Sequence, residues 1–206
     1  MKIIIIFIAS LALGAAAWFL LIDKPNRHNR NMLILEATSS VTDDVRGETH
    51  AAVENSVGQL KRGDEFILAP LTSDAPTEAA GRVLRLKISN DRKAYDADLK
   101  QARAKLNDML SKLRDDAVAR PYKHTDLLGT VRMAAEERNI KDERERFALI
   151  ILSDLLHDTS ELNFVTAREL ASEEAARKLA GKLAGDAKAY AGARVFLGLL
   201  RLQSDD

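Results

Sequence analysis

Three runs of uninterrupted apolar residues limit what this chain can fold into: Met32-Leu33-Ile34-Leu35, Phe66-Ile67-Leu68-Ala69 and Phe147-Ala148-Leu149-Ile150-Ile151-Leu152. A strand with one wet face alternates apolar and polar side chains, so a run without alternation marks a strand covered on both faces. Stretches with helical periodicity lie between these runs. From Asp44 to Arg62 the residues Val45, Thr49, Ala52, Val53, Val57 and Leu60 recur at helical spacing, with Gly63 as the stop. From Asp91 to Val118 the stripe is Tyr95, Leu99, Ala102, Leu106, Met109, Leu110 and Leu113. A shorter helix, Asp126 to Asn139, turns Leu127, Leu128, Val131 and Ala135 inward.

Arg82–Ser89 behaves differently. Leu84, Leu86 and Ile88 alternate with Arg85 and Lys87, so one face is wet and the strand belongs at a sheet edge. Thr166 and Glu169 fit a capping box opening a helix to Gly185, and Ala193–Leu202 reads as the last strand. The order β-α-β-β-α-α-β-α-β implies right-handed crossovers. The expected class is α/β, a Rossmann-like three-layer αβα fold with a mainly parallel sheet and one antiparallel edge strand. Phe147–Leu152 is the most apolar strand and is expected at the centre. In such a sheet ligands bind beyond the carboxyl ends of the strands.

The first part of the chain is of another kind. Ile3 to Ile22 is an uncharged run of 20 residues, with Ser10 its one clearly polar side chain. As a helix rising ~1.5 Å per residue it spans roughly 30 Å, the hydrocarbon thickness of a bilayer. It reads as an N-terminal transmembrane helix preceding the domain. The other reading is a signal peptide, with Lys2 as its positive start and Ala15-Ala16-Ala17 as its cleavage site. The run continues through Trp18-Phe19-Leu20-Leu21-Ile22, which a signal peptide does not need, so we adopt the anchor. Asp23–Asn31 is then a polar linker and residues 32–206 are the domain. Lys24, Arg27 and Arg30 after the run favour a cytoplasmic domain by the positive-inside rule. A short basic start with a long apolar segment also opens exported proteins. We take the domain to lie on the extracytoplasmic side of the inner or plasma membrane.

There is no cysteine, which excludes disulfides, thiol nucleophiles and thiolate metal ligands. Acidic and basic residues balance at 31 each, so no overall basic excess suggests nucleic acid as a partner. No glycine-rich phosphate loop is present.

Carboxylates and hydroxyls collect where the strands end. Glu36-Ala37-Thr38-Ser39-Ser40 follows the first strand, Ser153-Asp154 follows the apolar strand, and Thr125-Asp126 precedes the short helix. An oxygen-only donor set suits a hard cation, Mg²⁺ first, with Mn²⁺ and Ca²⁺ as alternatives. In these slots, over about Asn31 to Leu202, the chain resembles the von Willebrand factor type A family. That family's metal-ion-dependent adhesion site combines Asp-x-Ser-x-Ser after the first strand, a Thr before a mid-domain helix and an Asp after the fourth strand. Here those positions read Glu36-x-Thr38-x-Ser40, Thr125 and Asp154.

The resemblance implies a protein-binding module in a multiprotein assembly, not an enzyme. Thr38, Ser40 and Thr125 would hold the ion, Glu36 and Asp154 its waters, and a partner's acidic side chain would fill the open position. Two departures stand out. Glu36 replaces Asp and moves its carboxylate outward by ~1.5 Å, in a site where ~0.2 Å matters. The sequence given also ends at Gln203-Ser204-Asp205-Asp206, where the family closes with an amphipathic helix; either a partner covers that side of the sheet or one face stays exposed.

Other readings are a metal-free interaction module of the same fold, and a Mg²⁺-dependent phosphoester hydrolase using Glu36, Asp126, Asp154 and Asp158. His124 and His157 with Asp154 or Asp158 would make a zinc site whose spacing matches no metal motif. Thr38, Ser40 and Thr125 also suit ordinary caps of helices and turns.

Overall fold

The computed structural model describes residues 28–36, 43–73, 82–119, 124–138, 145–154, 159, 163, 172–187 and 190–200. The run Ile3–Ile22 lies outside them, as do Thr38, Ser40, His157 and Asp158. No described helix is long and apolar enough to cross a membrane.

The elements follow the expected order: β1 (His28–Glu36), α1 (Asp43–Gly58), β2 (Glu65–Leu71), β3 (Leu84–Lys87), α2 (Tyr95–Ala119), α3 (Leu127–Glu137), β4 (Glu145–Ser153), α4 (Glu173–Ala187) and β5 (Arg194–Leu199). The strands form one five-stranded sheet in the order β3-β2-β1-β4-β5. β1 runs parallel to β2 and β4, and β4 to β5. β3 alone is antiparallel and sits at the edge, as its alternating pattern required. The central strand is β1, not β4. Both have neighbours on two sides and layers on two faces, and an apolar run reports cover on the faces, not position in the sheet.

Successive residues of each strand face opposite layers. On one face Leu33, Leu35, Phe66, Leu68, Leu86 and Ile88 pack against Val53 and Val57 of α1 and Ala102, Leu106, Leu110 and Leu113 of α2. On the other, Met32, Ile34, Ile67, Ala69, Leu71, Phe147, Leu149 and Ile151 meet Leu127 and Ala134 of α3. Burying a large aliphatic side chain is worth about 1.5–3 kcal/mol, and both faces do so along β1 and β2.

Several boundaries differ from those the sequence suggests. α1 ends at Gly58, not Arg62, because Leu60 turns into the core at 0 % exposure. Gly63 therefore does not cap the helix. It lies at φ +82 in the turn closed by Asp64 N–H donating to the Lys61 carbonyl. β1 starts at His28, four residues before its apolar run, and pairs there with β4. α2 starts at Tyr95 because residues 91–94 form a turn in which Asp91 Oδ1 accepts the Lys93 N–H at 2.9 Å. α4 opens behind Ser172, whose Oγ accepts the Ala175 N–H; Thr166 and Glu169 lie outside the described residues.

β5 keeps an apolar strip in the open. Val195, Leu197 and Leu199 are 48 %, 58 % and 62 % exposed. They pair with Leu149, Ile151 and Ser153 and so share the α3 face of the sheet.

Candidate functional site

Of the five expected site residues, the structure describes Glu36, Thr125 and Asp154. Glu36 closes β1 opposite Leu71 of β2, and its neighbour Leu35 pairs with Leu152 of β4. The Glu36 side chain is 3 % exposed, although it is a carboxylate at a strand end. Its Oε2 accepts the Asp154 backbone N–H at 2.8 Å. One carboxylate thus ties the ends of two interior strands across 118 residues of sequence. Asp at this position would retract the acceptor by ~1.5 Å, so the longer side chain is what spans the gap. Burial of a charged acceptor is tolerated where donors meet it.

The Thr125–Asp126 segment sits beside the end of β2. Asp126 N–H donates to the Thr72 carbonyl at 2.9 Å, and Ser73 Oγ donates to the His124 carbonyl at 3.1 Å. Thr72 directly follows Leu71, the register partner of Glu36. Thr125 therefore lies at the same end of the sheet as the Glu36–Asp154 pair. The Asp126 carboxylate is engaged locally, where its Oδ1 accepts the Gly129 N–H at 2.8 Å and caps α3. A Cβ at Gly129 would run into that carboxylate, so glycine is what lets the cap close. His124 is exposed next to it.

The structure adds two residues here. Thr72 and Ser153 are both 0 % exposed at the carboxyl ends of β2 and β4. The Thr72 hydroxyl has no hydrogen-bond partner among the described residues. Thr72 is the first polar residue after an apolar strand, a signal available in the sequence though shared by many structural threonines. The oxygen donors at this end suit a hard cation in kind. Among the described residues no group of three or more His, Cys, Asp or Glu side chains gathers at a metal-binding distance.

The amino end of the sheet holds its own buried carboxylate. Asp64 is 4 % exposed; Oδ1 accepts the Asn29 backbone N–H at 2.9 Å and its Nδ2 at 3.3 Å, and Oδ2 accepts the Lys61 N–H at 2.9 Å. Burial pushes its carboxyl above the ordinary value, and the Asn29 and Lys61 donors pull the other way. His50 on α1 is held below its ordinary value by burial, then by Arg46 and Arg114.

No protein-family model matches the chain, and no curated protein matches it. Among solved structures it is similar to the conserved hypothetical protein BatB from Bacteroides thetaiotaomicron at 14 % identity and TM-score 0.42, over 83 % of this chain and 65 % of that one. It is similar to the pilus adhesin SpaC from Lactobacillus rhamnosus GG at 14 % identity and TM-score 0.45, over 66 % and 16 %. It is also similar to the human COPII-coat protein Sec24c at 9 % identity and TM-score 0.47, over 87 % and 30 %. The chain spans less than two thirds of each. What is established of this chain is its own topology: an α/β domain with a five-stranded, mainly parallel sheet.

Proposed function

We propose that the domain is a non-catalytic protein-binding module, similar to the von Willebrand factor type A family, with its binding surface at the carboxyl end of the sheet. The observation that carries this reading is the Glu36–Asp154 contact. It joins the residues at two positions that correspond to the family's site motif, 118 positions apart, at the end of the sheet where Thr125 also lies. The run Ile3–Ile22 anchors the module in a membrane, facing away from the cytoplasm.

A divalent cation would supply the electrostatic link to a partner's carboxylate. Thr38, Ser40 and Thr125 would provide hydroxyls, and Glu36 and Asp154 would hold the ion's waters. Glu36 already uses Oε2 on the Asp154 amide, one of the about four acceptor positions of a carboxylate.

One observation favours the metal-free module as a second reading. The Glu36 carboxylate is buried and engaged in tying β1 to β4, which is a structural role sufficient in itself.

Thermal unfolding of the full chain in EDTA and then in millimolar Mg²⁺, Mn²⁺ or Ca²⁺ separates the two. An ion at ~100 times its dissociation constant stabilises by about 2.7 kcal/mol, a shift of several degrees. A shift abolished by Thr125→Ala supports the metal-dependent module. An unchanged midpoint with every ion leaves the metal-free one.

A further inference from the structure

Although acidic and basic residues balance over the whole chain, the two ends of the sheet do not balance separately. The start of β2, the end of antiparallel β3 and the start of β5 lie at the amino end, with Glu65 pairing Lys87 and Ala148 pairing Arg194. The turn at residues 61–64 is bound to the residue after β3, Gly63 N–H donating to the Ile88 carbonyl and Ile88 N–H to that of Asp64. Lys61, Arg62, Lys87, Arg92, Lys93 and Arg194 are all exposed here. The exposed acids described at this end are Asp91 and Asp96, with Glu54 and Glu136 near the ends of α1 and α3, which run back to it. Asp64 is buried beneath the turn, and Glu65 is paired with Arg30 at 3.1 Å. The carboxyl end is closer to balance: Asp44, Glu48, Asp115 and Glu174 are exposed acids, Glu173 is paired with Arg177, and Arg114 and Lys178 are exposed bases. The excess of exposed basic side chains thus lies at the amino end.

The chain enters the domain at the basic end. β1 begins at His28, five residues separate it from Ile22, and those five include Lys24 and Arg27. We propose that the amino end of the sheet docks on anionic lipid headgroups, which holds the carboxyl end, with its candidate site, turned away from the bilayer. This rests on the membrane-anchored reading above. Clustered basic side chains next to an apolar span are drawn to anionic headgroups, and the attraction decays within a Debye length, about 8–10 Å. β1 is nine residues long, so the candidate site stands roughly 30 Å beyond the docked face, outside that range.

The chain has no cysteine, so a single one can be introduced for labelling. A fluorophore on Gln59→Cys reports the basic end, and one on His124→Cys the carboxyl end; both positions are exposed. The full chain is reconstituted in vesicles of phosphatidylcholine, alone or mixed with phosphatidylglycerol, carrying a headgroup energy-transfer acceptor. The proposal expects stronger transfer at Gln59 than at His124 in the mixed vesicles, a contrast that falls away at about 0.5 M KCl, where screening shortens to a few ångströms. Reversing Arg62, Lys87, Arg92 and Lys93 together to Glu should lower the docked-to-undocked ratio at least about a hundredfold. Arg92→Gln with Lys93→Gln is the milder variant and should lower it by about tenfold or more.

Equal transfer in neutral and mixed vesicles, or a contrast insensitive to both salt and charge reversal, overturns the proposal. Failure of the chain to float with neutral vesicles overturns the anchor; salt-sensitive flotation with mixed vesicles alone would then keep the docking face. Salt-sensitive retention by duplex DNA with no lipid effect assigns the face to nucleic acid and overturns the lipid proposal.

Discussion

The two ends of the sheet solve the same problem with one buried carboxylate each, and the solutions differ. At the amino end Asp64 uses both oxygens on three donors from Asn29 and Lys61, locking the start of β1 to the turn before β2 over 35 residues of sequence. At the carboxyl end Glu36 reaches across to the Asp154 amide over 118 residues, near a Thr72 hydroxyl that finds no partner among the described residues. The first is a local latch closed on itself. The second joins the strand ends from which the candidate site is built. A buried carboxylate costs stability unless donors compensate it, and at Asp64 three donors do so within one turn.

The largest expected effect tests the latch. Asp64→Ala strands the Asn29 and Lys61 donors and should cost about 3 kcal/mol, near 10 °C in the midpoint of thermal unfolding. Glu36→Ala should cost less, about 2 kcal/mol, and Glu36→Gln, which keeps an acceptor oxygen, under about 1 kcal/mol. If Glu36→Ala proved the more damaging of the two, the contrast between the ends would be broken. Gly63→Ala should cost about 1–2 kcal/mol, because φ +82 disfavours a side chain and a Cβ there would run into the His28 ring and Asn90 Oδ1. Thr72→Val should move the other way, stabilising the isolated protein by up to about 1 kcal/mol by removing a buried hydroxyl that no described group satisfies. A loss of stability there would mean that the hydroxyl is in use.

The smallest effects concern pH, and their signs separate two groups. His50 has a folded value below its ordinary 6.5, so its contribution is present above pH 6.5 and is lost as pH falls through the folded value. Asp64 has a folded value above its ordinary 3.8, so its contribution is present below pH 3.8 and is lost as pH rises through the folded value. In acid titrations of the unfolding midpoint, His50→Gln should flatten the decline that begins below pH 6.5. Comparison of wild type with Asp64→Ala should show a gap that widens as pH falls toward 3.8. A gap that narrows would contradict the burial of Asp64.

Much of the fold could be read from the sequence. The apolar runs marked β1, β2 and β4, the alternation of Leu84–Lys87 marked the edge strand, and the helical stripes marked α1, α2 and α3. Boundaries were less legible, because Leu60 leaves its helix for the core and Asp91 forms a turn where periodicity alone continues the helix. The exposed strip on β5 was expected only as one of two outcomes, since an apolar strand reads the same whether covered or open. Of the candidate site, Glu36, Thr125 and Asp154 lie at one end of the sheet, and Thr38 and Ser40 lie outside the described residues.

The sequence by itself determined which segments are strands or helices and which faces are apolar, because those properties depend on neighbours within a few residues. Only the tertiary structure decided that β1 is central, that Glu36 closes on Asp154 and Asp64 on Asn29, and that exposed basic side chains from several segments gather at the amino end. Each of these depends on strand order and register, and those are set by packing between segments far apart in the chain.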